Sequence, residues 1–267
     1  MTTQLGDLSD SHIQRLLKTR VLGRSMQLVS QAASSNDIAK QAAQHGAPHG
    51  HTVVADTQSQ GRGSHGRVWS SPPHTDLYVS IVVHTTCQPA NLAPITLAAG
   101  VAVAETVETF IPMTASIKWP NDIILEGKKC AGLLTEAHSQ GNRIETLIIG
   151  IGLNVNRISF EPTLVEYATS MRLAHPQATE LNRSEVLATL LNRTEHWLNA
   201  YAEAGLTRAL HSLRQRLAFL NTPVRCGHME GTLMDIADDG ALMLQAAGQV
   251  HRLYAGTLEP CSKTHDH

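Results

Sequence analysis

No two cysteines in this sequence form a C-x-x-C pair: Cys87, Cys130, Cys226 and Cys261 are widely separated. The spacing argues against a zinc site and makes free thiols in a reducing cytoplasm the expected state. An excess of positive charge is also missing. Lys and Arg number 21 against 23 Asp and Glu, which argues against the broad basic surface of non-specific nucleic-acid binders and makes any cationic site a local one. Residues 1–19 hold no apolar segment of a secretory signal. The longest run of small apolar residues, Ile95 to Ala104, falls well short of the ~20 residues that span a bilayer, so no membrane partner is expected. No Ser-His-Asp or Cys-His arrangement is evident, and a covalent enzyme intermediate is therefore not expected. Internal repeats and low-complexity linkers are absent as well.

What is present is 267 residues, 42% apolar and 16% charged, enough for one large domain or for a domain of about 200 residues with a small appendage. Residues 1–24 read as a helical lead-in with Ile13, Leu16 and Leu17 on one face. Ser34-Ser35-Asn36-Asp37 has the capping-box pattern and predicts a helix over Ile38–Gln44. Strands are predicted at Thr52–Asp56 and Leu77–Val83. A long Ala/Val helix, Asn91–Phe110, is apolar nearly all round and should be buried against a sheet. Ser116–Trp119, Ile123–Leu125 and Lys128–Thr135 read as strands, the last two joined by a Glu126-Gly127 turn, and Glu145–Asn154 as another. Helical spacing returns between Ser184, a candidate N-cap, and Gly205, a candidate C-cap, and again over Leu206–Leu217. After Asn221, short strands at Met229–Ile236, Ala241–Gln245 and Gln249–Tyr254 predict a small β-barrel. His45, His49 and His51 sit among Gly46, Pro48 and Gly50 and read as a loop rather than a metal site.

The stretch Lys118-Trp119-Pro120-Asn121-Asp122, with Lys129-Cys130-Ala131-Gly132 after it, sets charges among residues otherwise suited to a core. Unpaired charge is costly there, so the pattern fits a site for a polyanion. Pro120 breaks the strand and offers Asn121 and Asp122, whose carboxylate could hold Mg²⁺. The competing reading is an Asn-Asp turn stabilised by its own hydrogen bonds, with Lys118 solvated. A second cationic segment, Gly61-Arg62-Gly63-Ser64-His65-Gly66-Arg67, has arginines for bidentate pairing and glycines that let a ligand approach the backbone. It lacks Walker A spacing, and Trp69-Ser70-Ser71-Pro72-Pro73 cannot readily begin the helix of a dinucleotide fold. Alone it reads equally as a solvated surface turn. Gly150-Ile151-Gly152-Leu153-Asn154 ends a buried strand with glycines, where Asn154 either binds or closes a turn. Together these residues suit a reaction that joins two anions, such as carboxylate attack on the α-phosphate of ATP.

In order, and with Ser34-Ser35-Asn36 before them, these segments resemble the motifs of biotin protein ligases, over residues from about 24 to 260. The resemblance implies an α/β (α+β) catalytic domain, residues 1–220, with a mixed sheet and flanking helices, related to class II aminoacyl-tRNA synthetases and lipoate ligases. A small C-terminal β-barrel would occupy 221–267. It implies a cytoplasmic enzyme that makes biotinyl-5′-AMP and pyrophosphate from biotin and MgATP. Biotin then passes to a lysine of a biotin carboxyl carrier protein or domain, as in acetyl-CoA carboxylase. On the same resemblance, Ser34, Ser35, Asn36 and Gln58 surround the biotin ureido ring. Arg62, Gly63, Ser64 and Gly132 lie along biotin towards the acyl phosphate. Lys129 bridges carboxylate and α-phosphate and is the foremost catalytic candidate, beside Arg62 and Arg67. Gly61, Arg67 and Trp69 serve the adenylate, Lys118, Asn121 and Asp122 the nucleotide and Mg²⁺, and Asn154 the adenine end.

Ser64 departs from the family pattern, since many members carry arginine there, and this predicts weaker retention of biotinyl-AMP. About 33 residues precede Ser34, too few for the winged helix-turn-helix of the members that act as repressors, so DNA binding is not expected. A homodimer is among the arrangements the family uses. Two other readings stay open: a lipoate or octanoate ligase of the same superfamily, and a non-catalytic regulator that binds biotin or its adenylate.

Overall fold

The computed structural model describes residues 5–140, 143–174, 177 and 180–261. Among them, seven strands form the larger sheet: β1 (Met26–Ala32), β2 (Thr52–Gln58), β3 (Leu77–Cys87), β4 (Ser116–Lys118), β5 (Asp122–Leu125), β6 (Lys128–Gln140) and β7 (Arg143–Leu153). Their order is β1-β2-β3-β7-β6-β5-β4. β1 and β2 run parallel and the remaining pairs antiparallel, so the sheet is mixed. The period-2 alternation of side chains explains why the central strands are apolar on both faces. Val53, Val82 and Ile148 pack with Ala39 of helix α2 (Ser35–Gln44). Val54, Ile81, Val83 and Ile149 instead join the main core with helices α3 (Leu92–Phe110) and α5 (Arg183–Ala204).

Helix α3 is long and apolar enough to cross a membrane by length and composition, but most of its surface is buried inside the fold. Its small residues, among them Ala98, Ala99, Gly100 and Ala102, are fully or nearly fully covered. Ahead of the sheet, the helical lead-in shrinks to α1 (Asp10–Leu16), with Ile13 buried and Leu16 exposed. β1 is a strand that the sequence pattern did not announce. It lies at the sheet edge, and Met-Gln-Leu-Val-Ser-Gln-Ala shows only partial burial, so its apolar periodicity is weak.

Two expected caps are corrected. Ser34 is the N-cap of α2 by position, but its side chain makes no capping bond and the helix starts three residues earlier than predicted. The capping box does not form because Asp37 turns outward to Arg62. The N-cap of α5 is Asn182, whose side chain accepts from the Glu185 N–H at 3.1 Å. Ser184 instead donates to the Asp7 carbonyl at 2.6 Å.

Two short helices follow in the remainder of the chain, α4 (Met171–Ala174) and α6 (Thr207–Arg216). The C-terminal strands β8 (Pro223–Cys226), β9 (Met229–Ile236), β10 (Leu242–Ala246), β11 (Gln249–Leu253) and β12 (Leu258–Pro260) form one antiparallel sheet, ordered β11-β10-β9-β8-β12. It is joined to the larger sheet at Trp119, which is almost fully buried. The Trp119 indole N–H donates to the Gly240 carbonyl at 3.0 Å.

Candidate functional site

The start of α2 and the end of β2 enclose a polar niche of about 30 Å³. Ser34, Ser35 and Asn36 are buried there. The Ser35 N–H donates to Gln58 Oε1 at 2.7 Å, and Gln58 Nε2 donates to Ser71 Oγ at 3.0 Å. The Ser80 hydroxyl lies 2.7 Å from Ser35 Oγ and 2.6 Å from Asn36 Oδ1. Asn36 Nδ2 donates to Glu136 Oε2 at 2.5 Å. Buried polar groups need such partners, and here they supply them to one another. Gly150 is required beneath Asn36, because a Cβ at that position would overlap the Asn36 amide.

A larger cavity of about 290 Å³ adjoins the niche, lined by Gly63, Ser64, Arg67, Lys129, Arg157 and Phe160 among others. Trp69 lines both spaces. Its indole rests on Gly152, where a Cβ would come within 2.5 Å of the ring, and its buried N–H has no hydrogen-bond partner. Lys129 Nζ stands 5.1 Å from the Trp69 ring centroid, a cation–π contact. The same ammonium is 2.7 Å from Asp122 Oδ1. This ion pair lies off the line of a hydrogen bond, which leaves Asp122 Oδ1 without one. The register of β6 fixes Lys129: its N–H donates to the Tyr167 carbonyl at 2.7 Å and its carbonyl accepts from the Thr169 N–H at 2.9 Å.

The glycine loop folds back on itself. The Gly63 N–H donates to the Arg67 carbonyl at 2.7 Å and the Trp69 N–H to the Gly61 carbonyl at 2.8 Å. Gly61 packs so closely that a Cβ would meet Trp69 backbone. Arg62 makes a bidentate pair with Asp37 at 2.6 and 2.8 Å, with Glu136 3.7 Å away. The Arg62 hydrogen bonds hold the Asp37 carboxyl below the usual carboxylate range, and Asp37 in turn raises Arg62. Arg67 is exposed, and among the described residues its side-chain hydrogen bonds go to Ser64, at 3.0 Å to the hydroxyl.

Two expected ligand residues, Asn121 and Lys118, line neither space, and a third, Asn154, has its amide engaged by backbone. Asn121 gives its amide to the Leu133 carbonyl at 2.7 Å and lines neither space. Lys118 lines neither as well. It lies near Glu259, whose carboxyl is held low chiefly by Arg225 and further by Lys118. Asn154 does border the larger cavity, but its amide donates to the Thr169 carbonyl at 2.9 Å. For Asn121 and Asn154 a backbone carbonyl on a neighbouring strand or loop claims the amide. Gly132 lies below Lys129 and Trp69, with no room for a side chain. Next to Lys129, the Cys130 thiol is pushed up by burial and is not a nucleophile at neutral pH.

Several residues at the site carried no motif, Asp76, Glu136, Arg157 and Phe160, and Asp37 reads only as part of a helix cap. The available signal was a charged residue at a strand end, Asp76 just before β3 and Arg157 just after β7.

Comparison with known proteins places these features. Residues 28–154 match the biotin/lipoate A/B protein ligase family. The chain is 32% identical over 260 residues to the bifunctional ligase/repressor BirA of Bacillus subtilis, covering 95% of this chain and 79% of that one. It is 30% identical over 260 residues to the biotin–[acetyl-CoA-carboxylase] ligase of Mycobacterium tuberculosis, covering 91% and 93%. The structure of biotin protein ligase from Aquifex aeolicus in complex with biotin and ATP matches with a TM-score of 0.76 and 25% identity, over 88% of this chain and 98% of that one.

Proposed function

Because the chain belongs to the biotin protein ligases, we propose that it activates biotin with MgATP and transfers the biotinyl group to a lysine of a carboxyl carrier domain. The observation that carries this reading is the position of Lys129 where the two spaces meet. It lines the larger cavity and lies against Gly132 and Trp69 of the niche. Beside Arg62, the niche presents the neutral donors and acceptors of Ser35, Asn36 and Gln58, which suit a ureido ring; the dithiolane of lipoate offers nothing to pair with them. The larger cavity presents Arg67 and Lys129, which suit phosphates.

In the first step the biotin carboxylate oxygen attacks the α-phosphorus and the bond to pyrophosphate breaks. Both reactants are anionic, so a cation between them lowers the barrier, and charge grows on the phosphoryl oxygens during attack. Lys129 is the cation so placed, and Asp122 holds it until a ligand oxyanion replaces the carboxylate. In the second step a neutral lysine amine attacks the acyl carbon and AMP leaves. Among the described residues no group of three or more His, Cys, Asp and Glu converges. Magnesium would arrive on the nucleotide phosphates, neutralising their charge and keeping most of its waters; the Asp122 carboxylate, which lines neither space and meets the cavity through Lys129, is the candidate protein ligand.

The test is labelling of a purified carrier domain by the chain with biotin and MgATP. Mass gain of one biotinyl group at one lysine is expected, with Lys129→Ala inactive. A wild-type chain that binds biotin but leaves the carrier unmodified would support a binding protein instead.

A further inference from the structure

Arg157 lies outside the sequence motifs, and its guanidinium is buried where it borders the larger cavity. It pairs with Asp76 at 2.6 Å, and both side chains are almost wholly removed from solvent. Its Nη2 donates to the Ser70 carbonyl at 2.8 Å, and Nη1 lies 3.3 Å from the Ser70 hydroxyl. The guanidinium stands over the Phe160 ring, 4.8 Å from its centroid. Ser70 also donates to Glu161 at 2.7 Å. Three stretches of chain thus converge on one side chain: the exit of the glycine loop, the start of β3, and the segment after β7.

A buried ion pair is weak evidence of stability, because an apolar replacement often does as well. What an apolar pair could not do is fix the Ser70 carbonyl and orient a ring at the same time. We propose that Arg157 is a positioning residue for the nucleotide half of the site. It pins the glycine-loop exit and the Phe160 segment so that the larger cavity is formed before ATP arrives. The inference rests on reading that cavity as the nucleotide subsite. The niche is held by a separate hydrogen-bond network and meets Arg157 through the Tyr78 hydroxyl, 3.5 Å away, and through Trp69 and Ser71, the chain neighbours of Ser70. Loss of the clamp should therefore weaken ATP binding much more than biotin binding.

The test is Arg157→Lys, which keeps a charge for Asp76 but cannot fork to Ser70 and stack on Phe160 together. In biotin-dependent ATP–pyrophosphate exchange, KM for ATP should rise about tenfold while the Kd for biotin stays within about twofold. Without ligands, trypsin should cut after Arg62 or Arg67 faster than in the parent. An unchanged KM for ATP with unchanged cleavage, or equal losses for ATP and biotin, overturns the proposal. Should Arg157→Lys fail to fold, Phe160→Leu leaves the Arg157–Asp76 pair intact and must show the same ATP-selective shift; no shift overturns it. A parent chain without biotin-dependent exchange refutes the proposed function instead, and the ligand-free cleavage comparison still judges the clamp.

Discussion

The niche at the start of α2 and the cavity beyond Trp69 share a wall but are built from different chemistry. In the niche, Ser35, Asn36 and Gln58 are neutral and satisfy one another through Ser80, Ser71 and Glu136. Around the cavity, two of the cations are held by a carboxylate, Lys129 by Asp122 and Arg157 by Asp76. Neutral polar groups can be desolvated once hydrogen-bonded to each other, so the niche can keep its shape while empty. Buried cations need counter-charges, so the Arg157–Asp76 pair stays as a fixed clamp, while the partly exposed Lys129–Asp122 contact is the one an incoming anion can take over. The comparison teaches that one half of the site is preformed by hydrogen bonds and the other by ion pairs, of which Lys129–Asp122 is the one a ligand can exchange.

The largest effect should come from filling the niche. Gly150→Ala sets a Cβ against the Asn36 amide and displaces it from both Ser80 and Glu136. Leaving two buried polar groups unpaired costs about 1–3 kcal/mol each, so biotin affinity measured by calorimetry should fall on the order of 10²-fold while nucleotide affinity holds. Equal losses for both ligands would erase the distinction between the halves. A smaller effect sharpens the cavity side. Ser64 lines it and presents only a hydroxyl; Ser64→Arg adds a charge-assisted contact worth roughly 1.5–3 kcal/mol, so biotinyl-AMP should dissociate at least about tenfold more slowly in a chase experiment. Equal release rates would show that position 64 does not face the adenylate.

The smallest effect belongs to the Arg62–Asp37 pair, half exposed at the rim. Arg62 holds the Asp37 pKa below its usual value of 3.8. A depressed carboxyl stabilises the folded arrangement fully above the usual value, and the contribution is lost as pH falls through the depressed one. An NMR titration of Asp37 should therefore show a midpoint below 3.8, and in Arg62→Ala the midpoint should return towards it. An unshifted midpoint in the parent would show that the pair does not persist in solution. An exposed pair contributes only ~0.2–1 kcal/mol, so Asp37→Asn should loosen the glycine loop to trypsin by no more than about fivefold.

The sequence made the cationic loop, Lys129 and the strand carrying it legible because each is a local pattern with its own spacing. Arg157 was not legible, since its meaning depends on Asp76, 81 positions away. The Ser34–Asp37 capping box failed for a similar reason: Asp37 has a distant arginine to choose over its own helix terminus. Asn121 and Asn154 are ligand candidates by resemblance, yet each gives its amide to a backbone carbonyl. Only the returning strand and the following loop reveal that. The edge strand β1 escaped notice because a strand with little burial carries little apolar alternation.

The most direct test of the account is ATP–pyrophosphate exchange by the purified chain. Exchange should require biotin, should not be supported by lipoate, and should fall by at least about 10²-fold in Lys129→Ala, the cation placed for the developing charge. Exchange driven by lipoate, or biotin-dependent exchange that survives Lys129→Ala, would contradict the assignment of Lys129 to the junction of a biotin niche and a nucleotide cavity.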